Sequence, residues 1–372
     1  MRLGSFHKKK RYYINKIKTN VLSLFLRKRE VSELHSPLIK TCLLVHNNGK
    51  IGDLIVLSSL YRELEQRGVK LSIVTNGAGR AFLSGNKKIH QFYIKKSNKL
   101  RDIIALCAQL RAQPFDLVLD PFETMPSFVH SLLLFSVRAQ HILGFDKCYR
   151  RYYTTYHPHD EGLTRHMCTR ANEIFSQLYG AAGSTFDNRY YVPLPEEVEA
   201  KIIDFLGESQ VIIINPLGAK KICRLTSAQI SAIYDQVKES MPGYRILFTG
   251  LPADLRSIDL PHIETLPFGE FNYTVALTKH SRFVISVDTA LVHIASAFEI
   301  PTLALYPNAR HPTYPSHLIW SPNNRHAIQI VSPGCTVKDI SPEVLRDAVD
   351  ALFSKSVKPS PSASRGAESE AG

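Results

Sequence analysis

A chain of 372 residues exceeds one average domain, and its 44% hydrophobic content is enough to bury two cores of ordinary size. The formal charge of +13 implies an anionic partner, whether nucleic acid, membrane or phosphorylated substrate. The six cysteines, Cys42, Cys107, Cys148, Cys168, Cys223 and Cys335, lack paired metal spacing and suit reduced thiols in a cytoplasmic protein, which argues against a disulfide scaffold or a zinc site.

No apolar run approaches the roughly 20 residues needed to cross a bilayer. The start is basic, His7-Lys8-Lys9-Lys10-Arg11, and a short apolar run from Val21 to Leu26 precedes Arg27-Lys28-Arg29. That run is too short for a secretory signal and has no small-residue cleavage site. Tyr12, Tyr13, Ile14, Ile17, Val21, Leu22, Leu24 and Phe25 form either the apolar side of a basic interfacial helix or part of a solvated extension. In both readings residues 1–39 precede the fold.

Thr41 to Val45 is a compact apolar run, followed at once by the polar turn His46-Asn47-Asn48-Gly49-Lys50-Ile51-Gly52-Asp53 and a helical stretch from Leu54 to Leu64. This strand–loop–helix opening belongs to an α/β domain. The turn is neither a Walker loop nor a three-glycine dinucleotide fingerprint, yet Gly49 and Gly52 let the backbone turn tightly beside a ligand. Asp53 stands at the helix start, either as a cap or as a functional carboxylate. Val69 to Thr75 is the next strand, exiting at Asn76-Gly77-Ala78-Gly79. The stretches Leu100–Leu110 and Phe115–Asp120 continue the parallel-sheet pattern, and Asp120 is a strand-end carboxylate of the kind that faces a ligand crevice. Met125 to Val137 reads as an apolar helix.

Residues 138–170 interleave Arg138, His141, Lys147, Arg150, Arg151, His157, His159, Arg165, His166 and Arg170 with Tyr149, Tyr152, Tyr153 and Tyr156. Such a patch either grips phosphates and sugars or is a solvated basic surface; its histidines lack metal-binding geometry. The prolines at 193 and 195 mark the crossing to a second half, beginning with a helix from Glu196 to Leu206. Val211 to Ile214 then leads into Asn215-Pro216-Leu217-Gly218-Ala219-Lys220-Lys221, repeating the logic of residues 41–53. Further on come a helix over 228–237, a strand over 244–248 with its exit turn Thr249 to Asp254, and a helix over 272–279. A strand over 302–306, a polar loop over 307–315 and a closing helix over 342–353 complete the fold, with a disordered tail at 354–372.

Within that second half, the buried run Phe283 to Ile285 passes through Asp288-Thr289 into the helix-forming Ala290-Leu291-Val292-His293-Ile294-Ala295. A side chain at 288 or 289 can cap the helix, whose positive end suits an anion. His293 is either a ligand contact or a satisfied core histidine. Two α/β halves of this kind should leave a cleft between their carboxyl strand ends.

Three stretches, Gly49 to Leu54, Asn215 to Lys221 and Val287 to Ala295, resemble glycosyltransferase family 9, the ADP-heptose:lipopolysaccharide heptosyltransferases, across roughly residues 40–353. The resemblance implies a GT-B fold: an acceptor-binding Rossmann-like domain over 40–192 facing, across a cleft, a nucleotide-sugar-binding one over 193–353. It implies Asp53 as catalytic base and Lys221, or its neighbour Lys220, beside the donor diphosphate. Asp254, Asp288, Thr289, Ala290, Leu291 and His293 then belong to the donor site. On the acceptor side, the strand-end position of Asp120 adds it to Gly52 and Asp53, and Arg138, Arg150 and Arg151, or the basic start, offer positive charge to a phosphorylated acceptor. The sequence departs from the family pattern at Ala290, where glycine is common, at Ile222-Cys223-Arg224-Leu225, and at Pro307 to Pro312.

The expected reaction is inverting transfer of heptose from ADP-heptose to the phosphorylated Kdo–lipid A inner core of lipopolysaccharide. It needs no metal or cofactor and takes place in the cytoplasm or at the cytoplasmic face of the inner membrane. Another donor or acceptor, or a non-catalytic anionic-glycan-binding protein, is the alternative. Nucleic-acid binding draws on the +13 charge but no specific recognition motif accompanies it.

Overall fold

The computed structural model describes residues 3–24, 39–121, 127–145, 153–157, 164–179, 186–260, 263–309 and 315–357. It divides into two compact units. The first draws on Met1–Phe205, Phe268–Leu277 and Ala309–Asn323; the second on Leu206–Pro267, Thr278–Asn308 and Asn324–Gly372. A single crossing near residue 193 does not contain this interleaving, in which two later segments return to the first unit.

In chain order the first unit carries α1 (Leu3–Leu24), β1 (Thr41–Val45), α2 (Ile51–Val56), α3 (Ser58–Gln66), β2 (Lys70–Thr75), α4 (Gly77–Leu83) and β3 (Ile89–Ile94). It continues with α5 (Leu100–Ala112), β4 (Pro114–Asp120), α6 (Phe128–Ser136), β5 (Arg138–Phe145), β6 (Thr155–His157), α7 (Met167–Tyr179) and α8 (Glu196–Leu206). Its six strands pair in parallel in the order β3-β2-β1-β4-β5-β6. Parallel neighbours need crossover helices, which cover the sheet faces and so demand strands apolar on both sides. Accordingly Cys42 to Val45 of β1 are all buried, and Leu43, Val45, Val118 and Ile142 join Leu106, Leu110, Leu133 and Leu134 from the helices in one core.

The second unit is built on β7 (Val211–Asn215), α9 (Ser227–Ser240), β8 (Arg245–Phe248), α10 (Pro252–Leu255), β9 (Glu264–Thr265), α11 (Phe271–Lys279), β10 (Phe283–Val287) and α12 (Ala290–Ala297). After these come β11 (Thr302–Tyr306), α13 (Ser316–Ile319), β12 (Ala327–Val331) and α14 (Pro342–Val357); most of α11 and all of α13 fall in the segments returning to the first unit. The parallel order is β12-β11-β10-β7-β8-β9, the same winding as in the first unit. Every residue of β7, β10 and β11 is buried. Helix α9 begins with a capping box, Thr226 with Gln229, and the Gln229 amide also donates to the carbonyls of Val337 at 2.9 Å and Ile340 at 2.7 Å, fastening α9 to the segment before α14.

Several sequence expectations are corrected. The helix expected over 54–64 is two, α2 and α3, parted at Leu57, and Asp53 is no cap: the cap position is Lys50, and Asp53 lies inside the first turn of α2. The glycines at 77 and 79 begin α4, with Asn76 accepting from the Gly79 N–H at 2.9 Å. Arg138 to Phe145 is a strand, and the closing helix runs on to Val357, four residues into the segment read as tail. Residues 358–372 lie outside the described residues, as do Lys147, Tyr149, Arg150, Arg151, Tyr152 and His159 of the basic patch and Arg310 to Tyr314 of the polar loop. Among the described residues no helix is long and apolar enough to cross a membrane.

Candidate active site

In a doubly wound sheet the winding reverses direction at one point, and there the loops leaving two neighbouring strands part to opposite faces and open a crevice at the carboxyl edge. In the first unit that point lies between β1 and β4; in the second it lies between β7 and β10. The sequence candidates Asp53 and Asp120 follow β1 and end β4, while Lys220, Lys221, Asp288 and Thr289 follow β7 and β10.

After β1 the chain turns through Gly49, whose φ of +60° favours glycine and whose added Cβ would strike the Asn76 side chain. The Asn76 amide donates to the Asn48 carbonyl at 3.0 Å, fixing the turn from β2. This aims the chain into α2, with Gly52 partly buried and Asp53 partly exposed in its first turn. The Asp53 Oδ2 lies 3.9 Å from Nε2 of His46, which is fully enclosed. Burial above all, with help from the charge of Lys50 and from His130, pushes the His46 pKa down to about 3. His46 is therefore a neutral imidazole at working pH and supplies no positive charge to the carboxylate beside it. Burial and the negative charge of Asp53 together push the Tyr61 phenol upward.

Asp120 is fully buried. The Tyr153 hydroxyl donates to its Oδ2 at 2.7 Å, and the His130 Nε2 stands 3.0 Å from the same oxygen. His130 Nδ1 is 3.4 Å from the Asn47 Oδ1, so one polar chain ties the turn after β1 to the end of β4. Asp120 thus has no solvent-facing side to offer an acceptor; its neighbours make it a brace beneath the turn that carries Asp53. Arg138 is not brought to this edge. It opens β5 opposite Pro114, whereas Asp120 pairs with Gly144, which puts Arg138 roughly 20 Å away at the amino edge of the sheet. Arg150 and Arg151 lie outside the described residues. The rest of the basic patch is not one surface: Arg170 is buried, and His166 is partly buried with its Nε2 2.9 Å from the Ser321 carbonyl.

In the second unit β7 runs into a narrow hairpin. Gly218 N–H donates to the Cys223 carbonyl at 2.8 Å and Leu225 N–H to Pro216 at 3.0 Å, leaving Lys220 and Lys221 exposed at the tip. Beside it, Thr289 caps α12: its Oγ1 accepts from Leu291 N–H at 3.3 Å and from the Asn215 amide at 3.1 Å, and lies 3.1 Å from the Ser286 hydroxyl. The register pairing Ser286 with Asn215 brings these groups together. The Leu291 N–H is occupied by this cap and the Val292 N–H donates to the Thr289 carbonyl at 3.2 Å, and the positive end of the α12 dipole favours an anion here. Ala290 is its first residue, and Leu291 and His293 are buried along the helix. Asp288 is partly exposed. Burial and then its charge push the Cys223 thiol up to about 12, while Lys220 acts the other way, which places carboxylate, thiol and ammonium in one neighbourhood. Asp254, on α10, holds Arg224 through a 2.5 Å contact between its Oδ1 and the guanidinium Nη2.

His46, His130 and Arg224 carry this geometry without having been assigned roles from the sequence, and Tyr153, a member of the basic–aromatic patch in the sequence, is instead a buried donor to Asp120. The available signal was position: His46 is the first polar residue after an apolar strand, as Asp120 is the last residue of another. Among the described residues no group of three or more His, Cys, Asp or Glu side chains could hold a metal ion.

Comparison with known proteins gives the family. Residues 103–341 match Glycosyltransferase family 9 (heptosyltransferase). The chain is 59% identical over 353 residues to an Escherichia coli K12 protein named "Putative lipopolysaccharide heptosyltransferase 4", covering 95% of this chain and 98% of that one. Among solved structures, a family 9 glycosyltransferase from Veillonella parvula is similar with a TM-score of 0.70 at 18% identity, over 87% of this chain and 99% of that chain. The E. coli heptosyltransferase WaaC with ADP is similar at 0.65 and 16% identity, over 84% and 99%. At those identities the structures speak for the fold alone, which is GT-B. The chain belongs to glycosyltransferase family 9, the heptosyltransferases, and is a glycosyltransferase.

Proposed function

We propose that the protein transfers heptose from ADP-heptose, with inversion, to the phosphorylated Kdo–lipid A inner core of lipopolysaccharide. The observation that carries this reading is the partly exposed Asp53 carboxylate at the switch point of the first sheet, beside an imidazole that burial keeps neutral. A neutral imidazole puts no positive charge beside the carboxylate that is to accept the proton.

In the proposed step Asp53 takes the proton of an acceptor hydroxyl as that oxygen bonds to the anomeric carbon. The bond from that carbon to the diphosphate oxygen breaks on the opposite side, and ADP departs with the electron pair. Lys221, Lys220 and the positive end of α12 oppose the charge that grows on the diphosphate. Asp254, Asp288, Ala290 and His293 complete the donor assignment, and Gly52 lets the acceptor approach Asp53. Asp120 enters as a positioning residue, and the scheme itself calls for no metal or cofactor. The similarity to an E. coli protein named as a putative lipopolysaccharide heptosyltransferase supports heptosyl transfer to lipopolysaccharide as the reaction class.

The test incubates purified protein with ADP-heptose and Kdo–lipid A, with and without the Kdo phosphate, and follows product mass beside Asp53→Ala. A gain of one heptose that the substitution abolishes supports the reading. No gain from folded protein with either acceptor overturns this donor and acceptor.

A further inference from the structure

Among its described side chains, helix α1 meets the core of the first unit along one face. Asn15 Oδ1 accepts from the Phe128 N–H at 2.7 Å, at the start of α6, Thr19 is fully buried, and Leu22 packs on the core that contains Leu133 and Leu134. At about 100° per residue these three positions share a face. Roughly 150° around the helix from them lies a second apolar stripe, Ile14, Ile17, Val21 and Leu24, spaced three and four residues apart. Its side chains are 43% to 75% exposed, and Tyr13 stands exposed beside them. A stripe that served only to dock the helix would face the core; this one is presented outward by a helix whose docking face is already used.

Charge identifies what would cover it. Lys16 and Lys18 project on either flank of the stripe, and both are exposed. Residues 1–29 contain ten lysines and arginines and no aspartate or glutamate. A second copy of the chain meeting this face through two-fold symmetry would set two such clusters against each other, so that self-association is opposed by like charge. An anionic lipid surface offers the complement to both properties, apolar chains for the stripe and negative headgroups for its rims.

We propose that α1 is a membrane-docking helix that lies in the plane of an anionic bilayer, its Ile14, Ile17, Val21 and Leu24 stripe inserted at the headgroup level and its lysines at the phosphates. The helix lies in the interface and does not span it. Its docking on α6 then holds the first unit at the surface. This inference rests on α1 alone and stands or falls separately from the donor and acceptor proposed above.

The test uses the full chain with sucrose-loaded vesicles, either phosphatidylcholine alone or phosphatidylcholine with phosphatidylglycerol, at low and high salt, read by co-sedimentation. Expected is binding to the anionic vesicles, weakened by salt and at least about tenfold by the pair Ile17→Ser and Val21→Ser, with Lys16→Glu and Lys18→Glu acting in the same direction. Because all four side chains are exposed, denaturation midpoints of these variants should match the parent. Absence of binding by the parent chain overturns the proposal. So does equal binding by the Ile17→Ser, Val21→Ser variant, which would trace attachment to another basic surface. Sedimentation velocity showing a parent dimer that the same pair converts to monomer overturns it in favour of a second copy as the occupant.

Discussion

Tyr153 donates its phenolic hydrogen to Asp120 at 2.7 Å, and both side chains are buried. The bond joins the end of β4 to the short segment leading into β6, so this tyrosine of the basic patch is neither an open ring face for a ligand nor solvated surface. Removing the hydroxyl leaves a buried carboxylate oxygen with one fewer donor. Tyr153→Phe should therefore lower unfolding free energy by about 1.5–3 kcal/mol, read from urea denaturation at neutral pH. If Asp120 is a brace, the acceptor KM should change less than stability does.

Asp53 is assigned the proton-accepting role. Asp53→Asn preserves size and removes the base, and should reduce kcat on the order of 10²–10⁴-fold with little change in donor affinity. Isothermal titration with ADP on the folded variant, beside turnover with the complete substrates, separates these quantities.

The neutral His46 makes a pH prediction. Its pKa is held at about 3 in the fold, against an ordinary imidazole value of about 6.5, so between these values the unfolded chain binds a proton that the native protein does not. Stability from this group is present above about pH 6.5 and is lost as pH falls toward 3. The slope approaches one proton, about 1.4 kcal/mol per pH unit. Denaturation curves from pH 6.5 down to 4.5 should show His46→Gln less pH-dependent than the parent. Equal slopes would mean that the imidazole is not held neutral.

Arg224 and Asp254 form a pair that solvent still reaches, with side-chain exposures of 28% and 23%. A double-mutant cycle with Arg224→Ala and Asp254→Ala should return a coupling of about 0.2–1 kcal/mol in stability. If the pair also shapes the donor site, either single substitution should raise the donor KM, and the reversal Arg224→Asp with Asp254→Arg should restore part of it.

The fold was legible where strands are buried on both faces. Thr41 to Val45, Val211 to Ile214 and Phe283 to Ile285 are compact apolar runs because helices cover both sides of a parallel sheet, and each became a central strand. It was illegible where charge interrupts the run. Arg138 and His141 hid β5, an outer strand whose exposed positions tolerate polar residues. The paired glycines after β2 suggested a turn because glycine disfavours helix, but the Asn76 cap supplies the bond that starts α4.

By itself the sequence determined the chemistry available: an aspartate after the first strand, two lysines after the seventh, and Asp288-Thr289 ahead of a helix, each at a strand exit that local pattern identifies. Only the tertiary structure decided which of these share a place. The winding order set β1 against β4 and β7 against β10 through pairings that span tens of residues, and so set Asp120 inside the polar chain reaching Asn47 and Arg138 at the far edge. Burial then decided charge. His46 and Asp120 are both polar residues at strand ends, yet one is an uncharged neighbour and the other an enclosed brace, because solvation and hydrogen-bond partners come from residues distant in the chain.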